Sequence, residues 1–111
     1  YGVGRADDMA QRRSLSLSTR RSLQKAGAVG EALGDFFDIN GRVIHKSPSL
    51  SAELGVGKPD SKSIMAAAGK YKGEAALAAV RWHPPWALVV DASLGRKMLE
   101  LLDQARQKYT D

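Results

Sequence analysis

Two strand-like runs alternate with two helix-like runs from Ser63 to the end of the chain, and this order constrains the fold more than any other feature. The runs are SIMAAA, KGEAALAAVR, WALVVD and ASLGRKMLELLDQARQKY. Strands that alternate with helices favour a parallel sheet with helices packed on it, and a continuous apolar run such as WALVVD is typical of a strand covered on both faces. Ligands of such sheets gather beyond the carboxyl ends of the strands, where residues 69–72 and Asp91 are expected to lie.

The segment DFFDINGRVIHK predicts a β-hairpin at residues 35–46. Two β-prone runs flank Asn40 and Gly41, a dipeptide that tolerates the positive φ angles of a type I′ turn. Upstream, RADDMAQRR and SLSTRRSLQKAG each have the pattern of a helix, whereas AVGEALG has the composition of a small-residue turn or a short helix.

The composition is that of one globular domain with a modest core. The chain has 111 residues, of which 43% are hydrophobic and 26% charged, and it contains no cysteine. Disulfides and thiolate metal sites are therefore excluded, and no apolar run approaches the roughly 18–20 residues that a membrane span requires. We expect a cytoplasmic protein, and because the first residue is tyrosine we expect a fragment of a longer chain.

Positive charge is concentrated near the amino terminus. The net charge is +5, and residues 1–30 contain six basic residues against two acidic ones, while the rest of the chain is nearly balanced. Such a cluster attracts phosphate, on a small ligand or on nucleic acid, but it also fits a solvated helix face. Charge alone leaves these alternatives open.

The segment AAGKYK joins a predicted strand to a predicted helix and is a candidate anion site. Gly69 would let the backbone approach a ligand, the first amides of the helix would be unpaired, and Lys72 would add a positive charge. The spacing is not that of the nucleotide-binding loop, so a turn glycine flanked by solvated lysines is the simpler alternative. Asp91, which follows the second predicted strand, fits a helix cap better than a ligand contact. His45 and His83 lack carboxylates at metal-ligand spacing, so no metal site is expected.

Three longer segments resemble a known family. They are GVGRADDMAQRR, AGAVGEALGDFFDINGRVIHK, and AAAGKYKGEAALAAV followed by ALVVDASLGRKMLELL. In this order they resemble the carboxyl-terminal half of the effector-binding domain in SorC-family bacterial transcription regulators, and the resemblance covers nearly the whole chain. Residues 1–111 are therefore expected to be the carboxyl-terminal portion of a sugar-phosphate-binding domain, with the helix-turn-helix domain absent from this chain.

The resemblance implies a Rossmann-like, doubly wound α/β fold with a mostly parallel sheet, similar to glucosamine-6-phosphate deaminase and ribose-5-phosphate isomerase. It also implies that a phosphorylated sugar such as fructose-1,6-bisphosphate binds as an effector and weakens operator binding by changing contacts between the subunits of a dimer or tetramer. DNA would be bound only through the absent helix-turn-helix domain. No enzymatic activity, and no cofactor besides the phosphosugar, is implied.

The resemblance further implies which residues contact the effector. The corresponding positions are Arg12 or Arg13, Glu31, Lys72 and, beside the lysine, Gly69. Arginine and lysine form charge-assisted hydrogen bonds with phosphate, and a carboxylate accepts hydrogen bonds from sugar hydroxyls. Because neighbouring residues on a helix point about 100° apart, only one of the two arginines is expected to face the pocket.

Two other functions are alternatives. An enzyme of the sugar-phosphate isomerase or deaminase type would need a general base, for which Asp38 and Asp91 are the candidate carboxylates. Direct nucleic-acid binding would depend on the basic first 30 residues, although no recognition helix is evident. One departure from the family pattern bears on the site, since Ala68 stands where the family often has a glycine before the lysine.

Overall fold

The chain forms two sheets and four α-helices within the residues that the computed structural model describes, which are 1–46, 54–56, 58 and 60–110. In chain order the elements are β1 (Gly4–Arg5), α1 (Ala6–Arg12), α2 (Leu17–Lys25), β2 (Ala28–Ala32), β3 (Asp35–Asp38), β4 (Val43–Lys46), β5 (Ile64–Ala67), a 3₁₀ turn (Lys70–Lys72), α3 (Gly73–Trp82), β6 (Ala87–Val90) and α4 (Ala92–Thr110). Strands β1 to β4 form an antiparallel sheet in chain order, and β5 and β6 form a separate parallel pair.

The parallel part of the fold is smaller than the sequence predicts. The strand–helix–strand–helix order after Ser63 is confirmed, and β5 and β6 pair in parallel. The predicted mostly parallel sheet is not formed, because four of the six described strands are antiparallel. The prediction that WALVVD is covered on both faces is also wrong, since Leu88 and Val89 are 38% and 58% exposed. Only one side of the pair packs on the core, through Met65.

The hairpin predicted at residues 35–46 is confirmed, but its turn is not the predicted type I′ turn. Residues 39–42 join β3 to β4, and among them Gly41 has a φ of 82° while Asn40 stays outside the left-handed region. The Asp38 carboxylate accepts hydrogen bonds from the amides of Asn40 and Arg42 at 2.9 and 3.0 Å. This side-chain cap stabilises the longer loop, a common hairpin form with glycine at the left-handed position.

The segment AVGEALG, predicted as a turn or short helix, is mainly a strand. It supplies β2, which lies between β1 and β3. Ala32 pairs with Asp35, so Leu33 and Gly34 form a two-residue turn with φ angles of 52° and 94°. Positive φ at both positions is the pattern of a type I′ turn. The prediction missed the strand because alanine and glycine are depleted in strands, so the composition does not indicate one.

Helices cover both faces of the antiparallel sheet. Phe36 and Phe37 alternate across β3 and are both fully buried, Phe36 against α1 and α2 and Phe37 against α3. Phe37 stacks on Trp82 with 5.3 Å between the ring centroids. Helix α3 lies close to the sheet because Gly30 faces it, where a Cβ would come within 3.1 Å of the Cα of Ala75.

The last helix packs on this core through part of its predicted apolar stripe. Leu94 and Met98 of α4 are buried in the cluster that contains Phe37 and Trp82. Farther along the stripe, Leu102 is 37% exposed. Among the described helices, α4 included, we find none with the length and apolar character needed to cross a membrane.

Candidate functional site

One open cavity of about 780 Å³ is bounded by β1, the end of α1, the β2–β3 turn and the 3₁₀ turn. Four of the five predicted effector-binding residues line it. These four are Arg12, Arg13, Glu31 and Lys72. The remaining lining residues are Gly2, Val3, Gly4, Arg5, Asp8, Met9, Gln11, Leu33, Gly34 and Tyr71. Residues that are distant in sequence thus meet at one concave surface.

Both arginines line the cavity, although only one was expected to face it. Arg12 is the last residue of α1, and Arg13 lies just outside the helix with φ −85° and ψ 4°. The expected separation of about 100° applies only when both residues are helical. Because the chain leaves the helix at Arg13 and turns at Ser14, where φ is 54°, both arginine side chains reach the same cavity.

Glu31 is held in the cavity wall by two short hydrogen bonds. Its Oε1 accepts from Nη2 of Arg13 and from the amide of Gly34, each at 2.7 Å. The Glu31 side chain is 2% exposed, whereas that of Arg13 is 38% exposed. A carboxylate is tolerated at such depth when it is paired and hydrogen-bonded. Arg13 and the turn amide together therefore compensate for the burial of the Glu31 carboxylate.

The sheet register determines where Glu31 points. Glu31 pairs with Gly4 of β1 and with Phe36 of β3. Residues directly opposite each other in an antiparallel pair project from the same face of the sheet. Since Phe36 packs against α1 and α2, Glu31 projects toward the α1 side as well. The tight turn after β2 then places the amide of Gly34 beside the carboxylate.

Lys72 lines the cavity, but the amides beside it are not unpaired as predicted. In the 3₁₀ turn the amide of Lys72 donates to the carbonyl of Gly69 at 3.1 Å, and the amide of Gly73 donates to the carbonyl of Lys70. The tighter turn satisfies amides that the start of an α-helix leaves without a partner. An anion here would meet the Lys72 ammonium group rather than these two amides.

Gly69, the fifth predicted residue, is absent from the cavity lining, and its amide is bound by Asp91. The Gly69 amide donates to both carboxylate oxygens of Asp91, at 3.3 and 3.2 Å. The same carboxylate accepts from the amide of Leu94 at 2.9 Å and from the hydroxyl of Ser93 at 3.2 Å, which confirms the predicted helix cap. The amides of Leu94 and Gly69 hold the pKa of Asp91 below its ordinary value. Gly69, with φ 98°, shapes the loop that carries Lys72.

The two carboxylates considered as general bases both serve as backbone caps. Asp91 caps α4, and Asp38 caps the β3–β4 loop. Neither of them lines the cavity, whose described carboxylates are Asp8 and Glu31.

Sequence reasoning missed Arg5 and left the role of Tyr71 open, and both residues line the cavity. Tyr71 is 62% exposed, and Nζ of Lys72 lies 5.9 Å from its ring centroid, within the range of a cation–π contact. The Tyr71 ring also covers Gly69, where a Cβ would collide with it. The sequence signal for Arg5 was its place in the basic cluster, but only the pairing of β1 with β2 brings it near Glu31.

The cavity wall carries an excess of positive charge. Its cationic side chains are Arg5, Arg12, Arg13 and Lys72, and its carboxylates are Asp8 and Glu31. Since four cations face two carboxylates, the wall favours an anion, and a concave surface concentrates this attraction.

Most of the chain is similar to known sugar-binding domains. Residues 1–100 match the sequence profile of the Sugar-bind family, which describes a sugar-binding domain. The central glycolytic genes regulator of Bacillus subtilis is 33% identical over 99 residues, which cover 89% of this chain and 29% of that protein. A SorC family transcriptional regulator from Enterococcus faecalis has a TM-score of 0.78 at 31% identity, over 88% of this chain and 40% of that one.

A more distant structure shares the fold. The full-length sorbitol operon regulator SorC from Klebsiella pneumoniae has a TM-score of 0.68 at 21% identity, over 87% of this chain and 33% of that one. The chain spans 29% of the length of the two curated glycolytic regulators that it matches. Its mixed α/β fold is thus the one found in SorC-type domains, and the resemblance read from the motifs is confirmed. The chain belongs to the family of sugar-binding domains that SorC-type transcriptional regulators contain.

Proposed function

We propose that this chain is part of an effector-sensing domain and binds a phosphorylated sugar such as fructose-1,6-bisphosphate. The observation that carries the proposal is the convergence of Arg12, Arg13, Glu31 and Lys72 on one cavity. Guanidinium and ammonium groups form charge-assisted hydrogen bonds with phosphate. A carboxylate accepts hydrogen bonds from hydroxyl groups. A sugar has several such groups, whereas inorganic phosphate at neutral pH has few. The cavity therefore supports a ligand that has both a phosphate and a polyhydroxylated part.

Within this proposal the residues have different roles. Arg12 and Lys72 contact phosphate, since among the described residues neither has an ion-pair partner that would compete. Glu31 contacts the sugar hydroxyls from the buried side of the cavity. Gly69 acts indirectly, because its conformation and its bond to Asp91 fix the loop before Lys72.

The complete protein is, in this proposal, a bacterial transcription regulator that acts in the cytoplasm and not an enzyme. Ligand binding changes contacts between the subunits of a dimer or tetramer, and so changes DNA binding by a helix-turn-helix domain outside these residues. The names of the Bacillus and Enterococcus relatives support regulation, and the first also supports a glycolytic phosphosugar. The engagement of Asp38 and Asp91 as backbone caps, rather than as free general bases, supports sensing without turnover.

The parallel pair supports a larger sheet in the complete protein. Ile64, Leu88 and Val89 expose apolar side chains on β5 and β6, and the chain covers only 40% of the Enterococcus regulator. We propose that further strands and helices of the same protein cover this pair and complete a Rossmann-like, doubly wound sheet.

Calorimetric titration of the full-length protein with fructose-1,6-bisphosphate tests the proposed function. We expect binding by the wild type and a dissociation constant raised about 10–150-fold by Lys72→Ala, because a hydrogen bond to a charged group contributes about 1.5–3 kcal/mol. Lys70→Ala is the matched control, since Lys70 is an exposed lysine of the same 3₁₀ turn that does not line this cavity. Equal effects of the two substitutions would contradict the site, and a wild type that binds no phosphosugar would contradict the function.

A further inference from the structure

The ion pair between Arg13 and Glu31 lies in the wall of the cavity that would receive the ligand. Nη2 of Arg13 is 2.7 Å from Oε1 of Glu31. The carboxylate end of the pair is 2% exposed and the guanidinium end is 38% exposed, so Arg13 borders both the buried carboxylate and the open cavity. A phosphate that draws Arg13 toward the cavity therefore competes with Glu31 for the same cation.

This competition is unfavourable for an anion without hydroxyl groups. When Arg13 moves toward the anion, the amide of Gly34 is the remaining donor to Glu31 among the described residues. A buried carboxylate that loses its charge partner is strongly destabilised. The anion also brings a second negative charge close to Glu31, and charges repel strongly where water is partly excluded.

A polyhydroxylated ligand removes much of this penalty. Both described hydrogen bonds to Glu31 end on Oε1, and no described donor is bound to Oε2. Hydroxyl groups of a sugar can donate to Oε2 and can replace Arg13 at Oε1. The carboxylate then stays hydrogen-bonded while Arg13 turns toward the phosphate.

We propose that the Arg13–Glu31 pair determines the specificity of the cavity by rejecting phosphorylated ligands that lack hydroxyl groups. This inference rests on the proposed sugar-phosphate function and adds the chemical feature by which the ligand is selected. Glu31 lowers the affinity for every anion, and only a ligand with suitable hydroxyl groups recovers that loss. A residue that merely contacts the sugar, or merely stabilises the fold, would not lower the affinity for anions that lack hydroxyl groups.

The test compares two bisphosphates by calorimetry on the full-length protein. Fructose-1,6-bisphosphate carries hydroxyl groups, and hexanediol bisphosphate carries two phosphates on a six-carbon chain without them. We expect the wild type to bind the sugar at least about tenfold more tightly. Glu31→Gln, which keeps an acceptor for the amide of Gly34, should weaken sugar binding about tenfold and strengthen hexanediol bisphosphate binding severalfold, so that the affinity ratio falls toward one.

Two further variants separate this effect from simple electrostatics. Asp8→Asn removes a carboxylate from the same cavity wall that does not pair with Arg13, so it should shift both affinities by a similar factor and leave their ratio unchanged. Arg13→Gln changes the exposed end of the pair and leaves Glu31 without its cation. Because only the sugar can draw Arg13 to its phosphate without leaving Glu31 unsatisfied, this variant should weaken the sugar more than hexanediol bisphosphate and so lower the affinity ratio. This result tests the inference if Glu31→Gln does not fold.

The outcomes distinguish this inference from the proposed function. Equal losses for both bisphosphates in Glu31→Gln, or an unchanged ratio in Arg13→Gln, overturn the specificity inference alone. A wild-type protein that binds neither bisphosphate overturns the proposed function and the inference with it.

Discussion

The antiparallel sheet and the parallel pair differ in how completely the described chain covers them. Phe36 and Phe37 of β3 are fully buried between helices on the two faces of their sheet. On β6, by contrast, Leu88 and Val89 are 38% and 58% exposed. The difference shows that the described residues build a packed core around the antiparallel sheet and leave an apolar face of the parallel pair exposed.

The cavity uses both regions. Arg13 and Glu31 come from the well-packed antiparallel part, whereas Lys72 lies in the turn that joins parallel strand β5 to α3. Lys72 and Glu31 are therefore positioned by two regions that differ in packing. In the proposed function the ligand would span this boundary, and such a position is suited to coupling ligand binding to distant contacts.

The largest effect on stability is expected in the antiparallel part. Phe37→Ala should lower the free energy of unfolding by about 3–5 kcal/mol, since it removes a fully buried ring that stacks on Trp82 and leaves a cavity. Urea denaturation of the variant and the wild type measures the change. A loss below about 1 kcal/mol would mean that this core is not packed as described.

A smaller effect on stability is expected for a substitution in the parallel pair, and its size should depend on whether the 111-residue chain or the full-length protein is measured. In the 111-residue chain, Val89→Ala should change the free energy of unfolding by less than about 0.5 kcal/mol, because the side chain is largely exposed. In the full-length protein the same substitution should destabilise by about 1–2 kcal/mol, because the proposed larger sheet covers Val89. Equal small losses at both lengths, again measured in urea, would contradict that larger sheet.

The smallest effect is a change in the pH dependence of stability when Asp91, which lies between β6 and α4, is replaced. The folded pKa of Asp91 is lowered by the amides of Leu94 and Gly69, so its contribution to stability is complete above the ordinary carboxyl pKa of about 4. That contribution disappears as the pH falls through the lower folded pKa. Asp91→Asn should therefore lose stability less steeply than the wild type below about pH 4.

Urea denaturation at a series of pH values measures this difference. Asp103→Asn, which changes an exposed carboxylate farther along α4, is the control and should keep the wild-type pH dependence. If the free energy of unfolding falls equally steeply with pH in Asp91→Asn and in the wild type, the cap does not respond to protonation.

Sequence patterns predicted the positions of the helices and of the hairpin better than the types of turn that join the strands. The hairpin at residues 35–46 and the helices are where the patterns indicate. The type I′ turn, however, forms at Leu33 and Gly34 and not at Asn40 and Gly41. The reason is that local hydrogen bonds from side chains to the backbone differ between the two turns: the Glu31 carboxylate accepts from the amide of Gly34, and the Asp38 carboxylate caps a longer loop.

The site residues were predictable only through the family resemblance. Local patterns left the glycine–lysine segment open between an anion site and a plain turn, and gave no reason to join Glu31 to Arg13. Their contact depends on the register of β1, β2 and β3 and on the exit of the chain from α1. The 3₁₀ turn that pairs the amides beside Lys72 was likewise not predictable from the sequence. A glycine–lysine segment is compatible with a 3₁₀ turn and with an α-helix at this position.

A crystal structure of the full-length protein with bound fructose-1,6-bisphosphate tests the central claim most directly. We predict a phosphate within about 3 Å of the Arg12 guanidinium or the Lys72 ammonium, and a sugar hydroxyl at a similar distance from the Glu31 carboxylate. A sugar bound elsewhere in the protein, with these three side chains free of ligand contacts, would contradict the account.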